Sequence, residues 1–221
     1  VYKIIRNCQL QGGLAIACGD AGIGKTQACR QYYREHGTNC TYITVNPCIK
    51  SSKSVLELIG SKLNVSSGSV SRLWLEISSK LSDGMVIIVD EAQHLTRNAI
   101  DTLRSLCDCF DEKGQTLGIC FVGNETTVSR LGGKQKAEFA QIRNRTKNTR
   151  FYSVKQIKKS DIEMLFPDIR EDVAAVEFLL RIAQSPQAIR GAVNLYSNAL
   201  DNGNVTAKGL SAIAKYMDMA V

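Results

Sequence analysis

The segment Gly19-Asp-Ala-Gly-Ile-Gly-Lys-Thr26 constrains the fold of this 221-residue chain most strongly, because it matches the spacing G-x-x-x-x-G-K-[ST]. It follows the apolar run Leu14–Cys18 and precedes a helix-like stretch, Lys25–Glu35. Glycines here let backbone amides turn inward, and the N-terminus of the following helix adds its dipole, so the unit favours an anion. The pattern predicts a strand, a phosphate-binding loop and a helix, with binding residues Gly19, Gly22, Gly24, Lys25 and Thr26.

Two side chains at the end of this loop suit a nucleoside triphosphate. The Lys25 ammonium can reach the β- and γ-phosphates, and the Thr26 hydroxyl can hold Mg²⁺. ATP and Mg²⁺ are therefore the expected ligands. A chance glycine turn is the alternative, and the strand and helix patterns on either side disfavour it.

Two adjacent carboxylates follow another apolar run, Met85–Val89. Asp90, at the carboxyl end of the predicted strand, is placed to bind in the Mg²⁺ shell. Glu91, one residue further on, points elsewhere and can polarise a water for attack on the γ-phosphate. An Asp-Glu pair after a strand is a weak signal alone, but the upstream phosphate loop strengthens it and favours hydrolysis over nucleotide storage.

A polar amide follows the run Leu117–Val122, where Gly123 and Asn124 end the strand pattern. If this strand neighbours both motifs above, the Asn124 side chain can orient the attacking water. The alternative is an asparagine that only forms a turn, which is common after strands. We favour the catalytic role because of its placement.

Short continuous apolar runs separated by helical stretches predict an α/β fold with a parallel sheet. Phe151–Val154 is the candidate fifth strand, and after about residue 157 apolar residues recur only at helical spacing. The predicted organisation is an α/β core over residues 1–156 and a small helical lid domain over residues 157–221. The other predicted elements are a strand at Tyr42–Val45 and helices at Ser54–Leu63, Val70–Leu81, Asn98–Phe110, Asp161–Phe166, Val173–Ala183, Ala188–Leu200 and Thr206–Met219.

Composition excludes several classes of protein. A 44% hydrophobic and 22% charged content is ordinary for a globular chain and argues against disorder. The longest aliphatic run is far shorter than the roughly 20 residues that span a bilayer, so no membrane partner is expected. The eight cysteines are scattered without CxxC pairs, which favours reduced structural thiols and a cytoplasmic location over disulfides or zinc.

These features together resemble the AAA+ class of P-loop ATPases and, more closely, the Mu phage transposition protein B family. The target-selecting ATPases of Tn7-like elements share the general plan. The resemblance covers essentially the whole chain and rests on five segments. Its phosphate motifs are generic, whereas the segments Gly132–Ala140 and Ala183–Arg190 are more specific. The segments are Cys18–Thr26, Val86–Leu95, Gly132–Ala140, Ile43–Pro47 and Ala183–Arg190.

The resemblance implies roles for two arginines. Arg145 matches the arginine finger that reaches the ATP of a neighbouring subunit, with Arg143 as a nearby competitor. Arg190, near the start of a lid helix, matches the sensor-2 arginine that contacts the γ-phosphate within the same subunit. Either arginine could instead be a surface residue of a basic stretch.

The resemblance also implies a function. Members of the family bind double-stranded DNA as an ATP-dependent helical filament and deliver it to a transposase, in the bacterial host of a phage or mobile element. They carry an N-terminal helix-turn-helix domain, which this chain is expected to lack. The alternatives are another AAA+ ATPase, such as a helicase loader or a secretion-type ATPase, and a scaffold that uses ATP without hydrolysing it.

The net charge of +7 is concentrated in one stretch. Between Arg130 and Ser160 lie ten basic residues and one acid, a net +9, so the remaining chain is slightly acidic. Such a cluster suits DNA phosphates, regardless of sequence, or contacts between subunits and ATP. Nothing resembles a base-reading motif, so we expect non-specific binding, with DNA candidates Lys134 and Lys136 and weaker candidates Arg97 and Arg104.

Overall fold

The computed structural model describes residues 1–127 and 146–219. The chain divides into two compact units. The first comprises Val1–Gly19 with Lys25–Phe151, and the second comprises Asp20–Gly24 with Tyr152–Val221. This division falls a few residues before the boundary predicted after residue 156, and it assigns the tip of the phosphate loop to the second unit.

The first unit contains a five-stranded sheet with the strand order β2-β3-β4-β1-β5. The pairs β1–β4, β3–β4 and β2–β3 are parallel, with Cys18 opposite Gly123 and Thr44 opposite Asp90. The strands are β1 (Gly13–Gly19), β2 (Cys40–Thr44), β3 (Met85–Asp90), β4 (Leu117–Gly123) and β5 (Thr146–Tyr152).

The three central strands were predictable because nearly every residue in them is buried. Strands β3 and β4 are buried along their whole length, and β1 is buried except at Gly13. Strand β5 begins earlier than the predicted strand Phe151–Val154. The prediction missed its first residues because β5 is a mostly exposed edge strand. Its polar sequence TKNTRFY offers no continuous apolar run, so hydrophobicity marks only its last two residues.

Five helices accompany this sheet in the described part of the first unit. Serine and threonine caps start three of them: Ser51 accepts from Ser54 N, Ser69 from Arg72 N, and Thr96 from Ala99 N. The helices are α1 (Tyr2–Gln11), α2 (Lys25–His36), α3 (Ser52–Lys62), α4 (Val70–Lys80) and α5 (Arg97–Asp111). Apolar faces of α3, α4 and α5 bury Leu56, Leu73 and Leu103 in one core with the strands.

The second unit is helical and has its own core. Asp172 and Thr206 cap two of its helices by accepting from Ala175 N and Gly209 N. The helices are α6 (Lys159–Leu165), α7 (Val173–Gln184), α8 (Ala188–Asp201) and α9 (Ala207–Tyr216). Leu179, Ile182 and Leu195 are fully buried within this unit. An α/β fold with a parallel sheet followed by a helical part is therefore confirmed.

All eight cysteines are free thiols, and six of them are buried. In residues 1–127 and 146–219, no helix is both long and apolar enough to cross a membrane.

The sheet topology brings three strand ends together. Strand β4 lies between β1 and β3, and all three run in the same direction. The carboxyl ends of β1, β3 and β4 therefore meet at one edge of the sheet. At this edge lie Gly19, the pair Asp90 and Glu91, and Asn124, as the sequence predicts.

Candidate active site

The phosphate loop leaves β1 after Gly19 and enters α2 at Lys25. Gly22 and Gly24 have φ angles of +78° and +89°, the left-handed region that costs other residues about 1–2 kcal/mol. A Cβ added at Gly24 would meet nothing within 4 Å, so glycine is needed there for its backbone conformation and not for space. These conformations produce the turn that the motif predicts.

Lys25 and Thr26 are the first two residues of α2, at the positive end of the helix dipole. The Lys25 Nζ atom donates a hydrogen bond of 2.8 Å to the carbonyl of Gly19, at the end of β1. The ammonium group therefore lies against the end of β1, where the loop begins.

The tip of the loop, Asp20–Gly24, is held by other residues of the second unit. Asp20 N donates to the carbonyl of Tyr152 at 3.0 Å. Its carboxylate accepts from Ser153 Oγ at 3.1 Å and from Val154 N at 2.8 Å. Three hydrogen bonds therefore fix Asp20 to the last residue of β5 and to the two residues that follow it.

A second connection joins the loop to helix α8. Arg190 N donates to the Gly22 carbonyl at 3.0 Å. A Cβ added at Gly22 would lie 3.1 Å from the Cβ of Ala188, itself buried and in the left-handed region with φ +56°. The backbone of Arg190, the predicted sensor-2 residue, is therefore in direct contact with the phosphate loop.

Asp90 is buried at the end of β3, with 1% of its surface exposed. One carboxylate oxygen accepts from Glu91 N at 2.9 Å, and the other accepts from the Tyr42 hydroxyl at 3.1 Å. Tyr42 in turn accepts from Thr44 Oγ1 at 3.1 Å. A buried carboxylate needs such partners, and they fix the orientation of the Asp90 side chain.

Tyr42 is a site residue that sequence reasoning missed, because it belongs to an apolar run that predicts only a strand. Burial, together with the nearby Asp90 carboxylate, raises the pKa of Tyr42 above its usual value of 10. The protonated phenol donates to Asp90. No sequence signal distinguishes Tyr42 from a core tyrosine. The pairing of β2 with β3 brings its hydroxyl to Asp90 and so identifies it.

Glu91 has a left-handed backbone with φ +58° and starts the 3-10 turn Ala92–His94. Non-glycine residues in this region are uncommon and cluster at functional sites. Its half-buried carboxylate accepts a hydrogen bond from Gln93 Nε2. The backbone turn thus separates the Glu91 side chain from that of Asp90, although the two are adjacent in sequence.

Asn124 follows β4 and forms a turn. Its side-chain oxygen accepts from Thr126 N at 3.0 Å and from Thr126 Oγ1 at 2.6 Å. Its backbone N–H donates to Gln93 Oε1 at 3.3 Å. The turn uses the amide oxygen, so the NH₂ group is the part that the predicted water-orienting role would use.

The residues present fit a magnesium ion. The Thr26 hydroxyl and the Asp90 carboxylate are hard oxygen donors, and Mg²⁺ in nucleotide sites takes one or two such ligands, with phosphate and water oxygens completing the shell. Within the two described ranges, no group of three or more His, Cys, Asp or Glu side chains forms a separate metal site. A site of this kind depends on bound phosphate.

The remaining candidates are the basic residues predicted to contact DNA or the ATP of a neighbouring subunit. Arg97, at the start of α5, is 43% exposed and lies 3.8 Å from Asp101. Arg104 is 22% exposed, is 2.6 Å from Asp108, and lines a cleft of about 230 Å³ near the starts of β1 and β4. The strand-end edge of the sheet therefore does not include Arg104. Lys134, Lys136, Arg143 and Arg145 lie outside the described residues.

Two phage-type proteins are similar to this chain in sequence. The ATP-dependent target DNA activator B of Escherichia phage Mu is 29% identical over 217 residues, which cover 95% of this chain and 65% of that protein. The Mu-like prophage FluMu DNA transposition protein B of Haemophilus influenzae is 28% identical over 207 residues, covering 89% and 68%. The chain thus spans about two thirds of the length of these relatives.

The fold is also found among solved structures. The Aeropyrum pernix ORC2 protein superimposes with a TM-score of 0.65 at 14% identity, over 97% of this chain and 65% of the other. The sequence matches the AAA domain family over residues 8–131, more than half of the chain. With the phosphate loop, the Asp-Glu strand end and this fold in agreement, the chain belongs to the AAA domain family.

Proposed function

We propose that the chain is an ATPase that hydrolyses ATP with Mg²⁺. The observation that carries this proposal is the meeting of three strand ends: Gly19, which opens the phosphate loop, the pair Asp90 and Glu91, and Asn124. Such an edge gathers a phosphate cradle, a metal ligand and a candidate base.

Each residue has a distinct role in this proposal. Lys25 binds the β- and γ-phosphates, while Thr26 and Asp90 hold Mg²⁺. Bound Mg²⁺ neutralises charge that develops on the phosphate oxygens. Glu91 takes a proton from the attacking water, and Asn124 orients that water. Removal of a general base costs about 10²–10⁴-fold in rate.

Two arginines complete the proposed site. Arg190 contacts the γ-phosphate within the same chain, and its backbone bond to Gly22 supports this placement. Arg145, or its competitor Arg143, reaches the ATP of a neighbouring subunit. Arginine fingers supplied in trans raise rates by about 10³–10⁵-fold, so self-assembly and hydrolysis would be coupled.

We further propose that the chain binds double-stranded DNA without sequence preference, assembles on it as an ATP-dependent filament, and presents it to a transposase in the bacterial cytoplasm. The names of the phage relatives, a target DNA activator and a transposition protein, support this function. The net +9 between Arg130 and Ser160 suits DNA phosphates. Lys134 and Lys136 remain the first DNA candidates, with Arg97 and Arg104 weaker.

One set of variants tests both halves of the proposal. Glu91→Gln is expected to keep ATP binding and to lose hydrolysis, and Lys25→Ala to lose nucleotide binding and every filament. Negative-stain images of the parent chain with ATP and plasmid DNA are expected to show filaments. Phosphate release without filaments would favour another AAA+ function, and filaments without phosphate release would favour a non-hydrolytic scaffold.

A further inference from the structure

Gln93 connects the carboxyl ends of two neighbouring strands. It lies in the 3-10 turn after β3, and its Nε2 atom donates to the Glu91 carboxylate. Its Oε1 atom accepts from Asn124 N at 3.3 Å and lies 3.5 Å from Thr127 Oγ1. One side chain therefore joins the candidate base to the residues that follow β4.

The orientation of the Gln93 amide follows from its partners. A backbone N–H can only donate, so the group that faces Asn124 N must be the amide oxygen. The NH₂ group must then face the Glu91 carboxylate oxygen, which accepts its hydrogen bond. With the Gln93 amide reversed, its NH₂ group would face the N–H of Asn124, and its oxygen would face the Glu91 carboxylate. Two donors would then oppose each other at one end, and two acceptors at the other.

The site that holds Gln93 is closely fitted. A Cβ added at Gly123 would lie 2.4 Å from Gln93 Oε1 and 2.2 Å from Thr127 Oγ1, both far inside contact distance. Thr127 is fully buried, with 0% exposure, and cannot easily move aside. Glycine at position 123 therefore leaves the space through which Gln93 reaches β4.

A glutamate used as a base must hold its carboxylate in a defined place. The left-handed backbone of Glu91 sets the direction in which its side chain leaves the chain, but its side-chain bonds still rotate. A hydrogen bond from a side chain that is itself fixed restricts that rotation. Misplacement of a reacting group by about 1 Å can cost 10²-fold in rate.

We propose that Gln93 is a positioning residue, which sets the orientation of the Glu91 carboxylate for water activation and ties it to the end of β4. The proposal rests on the proposed role of Glu91. Gln93 needs no contact with ATP, so its loss affects the chemical step and not nucleotide binding.

The test is steady-state phosphate release with duplex DNA present. Gln93→Met keeps the length of the side chain but donates no hydrogen bond, and Gln93→Ala removes the side chain. We expect both to lower kcat by about 10- to 100-fold, with KM and the Kd of a non-hydrolysable ATP analogue within twofold. Gln115→Ala, at an exposed glutamine, is the matched control and is expected to leave kcat unchanged.

Two further variants test the connection itself. Gly123→Ala is expected to displace Gln93 and lower kcat in the same range, because the added Cβ would collide with Gln93 Oε1 as well as with Thr127 Oγ1. In a Glu91→Gln background, Gln93→Met is expected to leave the small residual rate of single-turnover hydrolysis unchanged. If the role of Gln93 were purely structural, Gln93→Met would lower the rate of ATP hydrolysis by the same factor in the parent chain and in the Glu91→Gln variant.

The outcomes separate the two proposals. If Glu91→Gln is inactive while either folded Gln93 variant keeps full kcat, the positioning role is wrong and the role of Glu91 stands. If Glu91→Gln keeps turnover, the role of Glu91 itself is wrong. A rise in KM with unchanged kcat would assign Gln93 to nucleotide binding and would also overturn the positioning role.

Discussion

The hydroxyl of Tyr42 on β2 donates a 3.1 Å hydrogen bond to the carboxylate of Asp90 on the neighbouring strand β3. The donor and the acceptor are 48 residues apart in the chain and meet because the two strands pair in parallel. Partners of this kind orient a metal-binding carboxylate, so Tyr42 would orient Asp90 at the proposed magnesium site without contacting the metal.

Tyr42→Phe is therefore expected to raise the Mg²⁺ concentration that gives half-maximal ATP hydrolysis by about 10-fold, the lower end of effects seen when such partners are removed. The measurement is a magnesium titration at saturating ATP. Tyr33→Phe is the control, since Tyr33 packs near Tyr42 at a ring distance of 6.1 Å. An unchanged magnesium requirement in Tyr42→Phe would show that the Asp90 carboxylate does not depend on this bond.

Asp20→Ala is expected to weaken both the second unit and ATP binding. It removes a carboxylate that accepts from Ser153 and Val154, and hydrogen bonds to charged groups contribute about 1.5–3 kcal/mol. We expect a lower free energy of unfolding and about tenfold weaker ATP binding, the equivalent of 1.4 kcal/mol. Chemical denaturation and nucleotide titration measure the two effects.

The control for Asp20→Ala is Asp168→Ala, which removes an exposed carboxylate that accepts from Tyr196. It should leave ATP affinity unchanged. Equal ATP affinity in the Asp20 variant and the parent chain would contradict the idea that these bonds preorganise the phosphate loop.

Arg97→Ala and Arg104→Ala are expected to differ in DNA binding. Arg104 is 22% exposed and held 2.6 Å from Asp108, whereas Arg97 is 43% exposed and lies 3.8 Å from Asp101. Arg97→Ala should lower the salt dependence of DNA affinity by about one unit of slope, and Arg104→Ala should lower it by less. The reverse order in a salt titration would place the DNA surface on the Arg104 side of α5.

Alkaline pH is expected to destabilise the chain through its buried thiols. Burial raises the pKa of Cys8 and of Cys40 from 9.0 to about 12. Below pH 9 both thiols are protonated whether the chain is folded or unfolded. As pH rises from 9 to 12, the unfolded state loses the proton and the folded state keeps it, so stability falls with pH.

The size of this effect is about 1.4 kcal/mol per pH unit above 9 for each thiol. Urea unfolding at pH 8, 9 and 10 measures it, and Cys40→Ala should reduce the decline. Stability that is constant between pH 8 and pH 10 would show that these thiols ionise equally in the folded and unfolded states.

Local patterns explain why much of the fold could be predicted. Strand β4 and the part of β3 before Asp90 consist of apolar residues and glycines, as expected of strands that are buried along their whole length. The phosphate loop could be identified because its glycines meet a backbone requirement that is local, at φ values near +80°. The edge strand β5 was misplaced because an exposed strand carries no hydrophobic signal along most of its length.

The sequence by itself determined the chemistry of the site: a phosphate loop with Lys25 and Thr26, and carboxylates at Asp90 and Glu91 at the end of a buried strand. Only the tertiary structure decided which side chains support them. Tyr42 and Gln93 form hydrogen bonds to residues on other strands or turns, whereas their own sequence surroundings are those of a core strand and a polar turn. Such partners depend on strand order and register, which arise from burying the whole sheet.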